Sequence, residues 1–201
     1  MDTAIATSNR WDGGHSPYGQ TWQKLMMWFF IVGDALLFCG FLASYGFARL
    51  GSADWPNALE LFSAPYLTVM TFVLISSSVA MACAVGAAKN NDRAGLIRFL
   101  LLTLIGGVFF LGMQGFEWAQ FISEGGRPWA VPHGDRLFGA YFFLITGFHG
   151  THVLIGLIVL AITLFKSTSG VINPNGVEIA GLYWHFVDLV WVLVFGFFYL
   201  I

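Results

Sequence analysis

The sequence predicts an all-α polytopic membrane protein: a bundle of five transmembrane helices, with the N-terminus inside and the C-terminus outside. Three observations predict it. Hydrophobic residues make up 57% of the 201 residues and charged residues only 10%, against about 25% charged in a soluble domain. The apolar residues gather in five runs, each near the ~20 residues that cross a hydrocarbon core of roughly 30 Å. Polar, Gly- and Pro-rich breakers fall between the runs in short segments. Barrel strands would instead alternate strictly over stretches of about ten residues, and helices satisfy their own backbone groups in lipid.

The elements follow in order. Met1 to about Thr21 reads as a polar N-terminal tail (1–21); it lacks a basic start followed by an apolar stretch, so it is not expected to be a signal peptide. Residues 22–201 form the transmembrane domain. Its first span covers about 25–48 and contains one charge, Asp34. The second covers about 65–88 and has none. The third covers about 96–121, charge-free from Phe99 to Phe116. The fourth, about 137–165, is charge-free, and the fifth, about 179–201, carries only Asp188. No loop between them is long enough for a soluble catalytic domain.

Composition excludes other classes. Nine basic against eleven acidic residues build no electrostatic footprint for nucleic acid. Two cysteines exclude a disulfide scaffold; Cys39 and Cys83 fall inside spans and read as small packing residues. Orientation follows from the cationic flanks. With the N-terminus inside, Arg10, Lys24, Lys89, Arg93, Arg98 and Lys166 lie on the inner side, and Arg49, Arg127 and Arg136 on the outer. Trp129 then suits the outer headgroup region.

Within the spans, small and polar residues carry the information. Ser76, Ala80, Ala84 and Ala88 recur every four residues and read as a stripe where another helix packs closely. Polar groups in lipid are costly unless paired. Asp34 lies about ten residues into the first span, roughly 15 Å from its inner end, and is followed at helical spacing by the packing stripe Phe38, Phe41 and Tyr45. His149 and His152 share a face of the fourth span at i, i+3, and Gly156 leaves room beside that face. His185 and Asp188 repeat the spacing on the fifth. These groups fall at similar depth and suggest one polar layer, while Gln114 and Glu117 sit near the outer end of the third span. His15 and His133 receive no role.

Three readings of this set stand side by side. Histidines on facing helices would suit a membrane b-type cytochrome, although the spacing completes no local ligand set. The carboxyl and histidine groups are also the usual materials of a proton or ion relay. The bland reading, that they make packing hydrogen bonds, is favoured from spacing alone.

The segments Gly147-Phe148-His149-Gly150-Thr151-His152-Val153 and Tyr183-Trp184-His185-Phe186-Val187-Asp188 resemble, in this order, two segments of subunit III of the haem–copper oxidases. Gln114-Gly115-Phe116-Glu117-Trp118 is similar to a third motif of that family. The first span resembles the segment bearing its intramembrane carboxylate, here Asp34 where Glu is frequent. The resemblance runs from about residue 25 to the end and matches the five-helix form, without the first two helices of longer members. It implies a non-redox subunit of a proton-translocating oxidase in aerobic respiration, with haems and copper in partner subunits and no cofactor, metal or catalytic residue of its own. It further implies packing on subunit I, association with subunit II and possible supercomplex membership. Phospholipid binding, support of proton uptake and oxygen access, and a bacterial inner-membrane setting also follow from it. The histidines then become packing groups, and His185 with Asp188 is expected to tie the fourth span to the fifth. Asp34 leaves a quinol oxidase open beside a cytochrome c oxidase. A nitric oxide reductase accessory protein and an independent b-type cytochrome remain as alternatives.

Overall fold

A computed structural model describes residues 20–131 and 134–200, apart from the side chains of Leu59 and Glu60. Residues 1–19, including His15, and Pro132, His133 and Ile201 lie outside the described residues. The elements are α1 (Trp22–Gly51), the short α2 (Ala58–Leu61), α3 (Ala64–Lys89), α4 (Arg93–Ser123), α5 (Arg136–Thr168), α6 (Pro174–Val194) and a π-helical turn, Phe195–Leu200, that continues α6. Among the described residues, five helices are long and apolar enough to cross a membrane, the last running through the π turn. No strand is present among the described residues.

The helices extend two to five residues beyond several of the expected spans, because caps rather than hydropathy set their ends. Asp92 accepts from Gly95 N–H at 3.0 Å, Asp135 from Leu137 N–H at 3.0 Å, and Asn173 from Gly176 N–H at 3.1 Å. The Leu137 N–H, with the Ser52 hydroxyl, holds the Asp135 carboxyl below the usual carboxylate range. The fifth span begins at Pro174 rather than 179; a proline in the first turn loses no helical hydrogen bond. The three-residue turn between α3 and α4 closes with Asn91 at φ 54°, a left-handed conformation asparagine tolerates.

α6 is the central helix. It runs parallel to α1, as the contacts Lys24–Glu178, Phe30–Tyr183 and Tyr45–Phe198 show. It runs antiparallel to α3, through Ser77–Trp184 and Thr71–Trp191. α4 and α5 complete the wall, joined by the Arg93 guanidinium on the Ser167 and Thr168 carbonyls. Between α1 and α3 the wall is open, and Leu189 of α6 is exposed there. At one end Glu178 accepts from Lys24 Nζ at 2.8 Å and lies 3.5 Å from Lys89 Nζ, clipping α1, α6 and α3 together. The opposite half is an aromatic knot of Phe62, Phe121, Phe138, Phe142, Phe198 and Tyr199.

The small-residue stripe on α3 divides. Ala84 and Ala88 are buried, Ala80 is half-buried and Ser76 faces outward. Cys39 and Cys83, expected as packing residues, are both exposed; they lie on outward faces, where a small apolar side chain costs nothing in lipid.

Candidate functional site

The polar side chains of the spans do not converge on one point. The expected layer divides around α6 into two groups, because α6 presents different faces to α1, α3 and α5; Gln114 and Glu117, expected outside that layer, form a third.

The first group joins α1, α5 and α6. Asp34 and His152 are both nearly buried, with Asp34 Oδ2 3.3 Å from His152 Nε2 but without a well-formed hydrogen bond. His152 Nδ1 lies 2.8 Å from the Phe148 carbonyl. A carbonyl only accepts, which assigns the Nδ1 proton. A bare Nε2 facing a carboxylate would set lone pair against anion. A proton between Nε2 and the carboxyl, on either partner, removes that repulsion. Phe38 and Phe148 flank the imidazole, with ring centroids at 5.7 and 4.7 Å. The Tyr183 hydroxyl donates to the His152 carbonyl at 3.0 Å.

The second group joins α3 and α6. His185 Nδ1 and Ser78 Oγ are 2.6 Å apart. Asp188, 5% exposed, lies by the same hydroxyl, and its oxygens make no well-formed hydrogen bond among the described residues. This corrects the expectation that His185 and Asp188 tie the fourth span to the fifth. Their helix turns that face toward α3, and it is Tyr183 that ties α5 to α6. Next to this pair, the fully buried Trp184 ring fills a slot between Gly107 of α4 and Gly156 of α5. A Cβ at either glycine would meet the ring at 2.5 or 2.9 Å, and the indole donates to Ser77 Oγ at 3.1 Å.

The third group lies toward the aromatic knot. Gln114 Nε2 donates to the Thr146 carbonyl at 2.6 Å and Trp118 Nε1 to Thr146 Oγ1 at 3.0 Å. Glu117 Oε2 accepts from the Tyr199 hydroxyl at 3.2 Å.

His149 stands apart from all three. It is fully buried, and neither ring nitrogen has a hydrogen-bond partner among the described residues. Phe110 meets it edge-on at 5.7 Å, and Trp191 lies at 5.1 Å. Replacing a buried, unsatisfied polar group by an apolar one of similar shape is close to neutral or stabilising. His149→Leu is therefore expected to leave the thermal midpoint of the purified protein unchanged or raised. A clear fall in that midpoint would mean that His149 has a polar partner in the assembly.

Among the described residues, no three His, Cys, Asp or Glu side chains are grouped to hold a metal ion. Sequence reasoning missed Ser77, Ser78, Thr146, Tyr183, Trp184 and Tyr199 as the partners of the residues it named. Gly107 and Gly156 were the available signal for Trp184, since glycine inside an apolar helix marks a close approach.

Comparison with known proteins agrees with this architecture. The family model for cytochrome c oxidase subunit III matches residues 3–201. The chain is 33% identical over 179 residues to cytochrome c oxidase subunit 3 of Alkalihalophilus pseudofirmus, covering 88% of this chain and 85% of the relative. It is 32% identical over 172 residues to the same subunit of Corynebacterium diphtheriae, covering 83% and 82%. It is 36% identical over 172 residues to a probable cytochrome c oxidase subunit 3 of Mycobacterium leprae, covering 84% and 82%. With five membrane-crossing helices and a match over nearly its whole length, this multi-pass chain is a component associated with other oxidase subunits, and it belongs to the cytochrome c oxidase subunit III family.

Proposed function

We propose that the chain is the non-redox subunit III of a proton-translocating cytochrome c oxidase in a bacterial inner membrane. It packs on catalytic subunit I, with subunit II in the same complex, and it binds phospholipid while supporting proton uptake and oxygen access. The observation that carries this reading is the family match over residues 3–201. The internal contacts support the non-redox role: the intramembrane histidines other than His149 face Asp34, Ser78 and a backbone carbonyl. The open side between α1 and α3 suits the packing on subunit I, because exposed Leu189 and half-buried His185 lie along it. Lys166 and Arg98 are exposed at the end of the bundle where Lys24, Lys89 and Arg93 are engaged by protein groups. There they suit anionic headgroups, at about 1 kcal/mol for each cation near the surface.

Purification from mild detergent through a tag on this chain tests the reading. The expected result is a complex with a haem difference spectrum, subunits I and II identified by mass, and no haem in the separated chain. A copper-bearing subunit II selects cytochrome c as donor, and a subunit II without copper selects quinol. Haem retained by the isolated chain would overturn the non-redox role.

A further inference from the structure

At the end of the bundle that carries the α4–α5 connection, a cavity of about 120 Å³ lies between α4 and the elbow from α2 to α3. Ser63, Tyr66, Glu117, Gln120 and Glu124 supply its polar lining. At a share of about 30 Å³ per water molecule, it has room for about four waters. Glu117 is only 4% exposed. Its Oε2 accepts one hydrogen bond, from Tyr199, and its Oε1 has no partner among the described residues. A carboxyl group offers about four acceptor positions, and burial with a single donor is costly.

The mouth of the cavity is polar. Ser63 precedes α3, yet its hydroxyl does not cap that helix and is exposed. Gln120 Nε2 donates to Glu124 Oε1 at 3.3 Å, and both residues are exposed. Among the described residues, the titratable groups facing Glu117 are Tyr199 from the π turn, Tyr66 from α3 and Glu124 from its own helix; the Tyr66 hydroxyl donates a hydrogen bond to the Met113 carbonyl. Among the described residues, no lysine, arginine or histidine lines the cavity.

We propose that this cavity is a water-filled vestibule through which Glu117 exchanges a proton with the aqueous phase at that end of the bundle. In the forward step the carboxyl O–H bond breaks and its proton passes through the vestibule water to bulk. The remaining carboxylate keeps the Tyr199 hydroxyl as donor. The reverse step restores the acid. Tyr199 is a positioning residue, held in place because the π turn buries Phe198 and Tyr199 side by side.

Infrared difference spectra between acidic and alkaline buffer, in H2O and D2O, test this on the complex purified through a tag on this chain. The expected result is a carboxylic C=O band that fades as pH rises, shifts on transfer to D2O and is lost in Glu117→Gln. Spectra in which wild type and Glu117→Gln coincide at every pH would overturn the proposal. So would a band that does not shift in D2O, or one that responds to added calcium chloride rather than to pH. Should Glu117→Gln fail to assemble, carbon-13 glutamate labelling marks the band as a glutamate's, and the band is followed in Gln120→Trp, whose bulky side chain stands at the mouth. That variant is expected to delay the D2O shift, and an undelayed shift would overturn the vestibule.

Discussion

Trp184→Ala is expected to cost the bundle a large part of its stability. The ring is fully buried and joins four helices, standing on α6, lying between Gly107 of α4 and Gly156 of α5, and donating to Ser77 of α3. Truncating a buried Trp costs about 3–5 kcal/mol through lost transfer energy and the cavity left behind. That is a large part of the ~5–15 kcal/mol that separates a typical folded chain from its unfolded state. The hydrogen bond supplies only about 1 kcal/mol of this. Trp184→Phe, which keeps an aromatic ring in the slot, is therefore expected to accumulate in membranes with a modestly lowered thermal midpoint. The alanine variant is expected to be depleted or to unfold many degrees earlier. The converse change has the same sign: Gly156→Leu or Gly107→Leu drives a side chain into the ring, and overpacking costs about 1–3 kcal/mol or more. The thermal midpoint of the purified complex and the amount of chain in the membrane measure all four. A Trp184→Ala protein melting with wild type would show that the slot is not what holds these helices together.

The spans were legible because lipid leaves the backbone no choice: each run must close its own hydrogen bonds, so hydropathy alone finds five helices. Their ends were legible in part. Asn173-Pro174 is a recognisable start, but Asn175, Gly176 and Glu178 interrupt the apolar run and pushed the expected start to 179. The candidate polar residues were legible as types, since each is costly in lipid unless paired. Their partners were not. Ser77 and Ser78 sit in a run of three serines, and only the rotation of α3 against α6 decides that one serves Trp184 and its neighbour serves His185. Tyr199 meets Glu117 across 82 residues through a π turn that breaks the 3.6-residue period, and no helical periodicity read from the sequence reproduces that register. His149 and His152 share a face in sequence, yet one packs against Phe110 and Trp191 and the other faces Asp34. The difference lies in what α1 and α4 bring to that face.

Asp34 and His152 provide the second large effect, and their contact across α1 and α5 makes it specific. The variant that offers Nε2 an uncharged donor from the same position is Asp34→Asn. Its amide N–H can point at Nε2, so assembly and thermal midpoint are expected to stay near wild type. Asp34→Leu removes that donor and leaves His152 Nε2 unpaired beside Phe38 and Phe148. His152→Leu leaves the Asp34 carboxyl unpaired in the same setting. A buried polar group stripped of its partner costs about 1–3 kcal/mol, so each Leu variant is expected to melt clearly below wild type. The double variant Asp34→Leu/His152→Leu removes both polar groups together, and replacing a buried pair by apolar residues is often neutral. It is expected to melt above at least one of the single variants, with a coupling of about 1–3 kcal/mol in the double-mutant cycle. Strict additivity would mean that the 3.3 Å contact has no energetic content. An Asp34→Asn protein as damaged as Asp34→Leu would place the proton on His152, making the contact a buried ion pair in which the negative charge of Asp34, and not its hydrogen-bonding shape, holds α1 against α5.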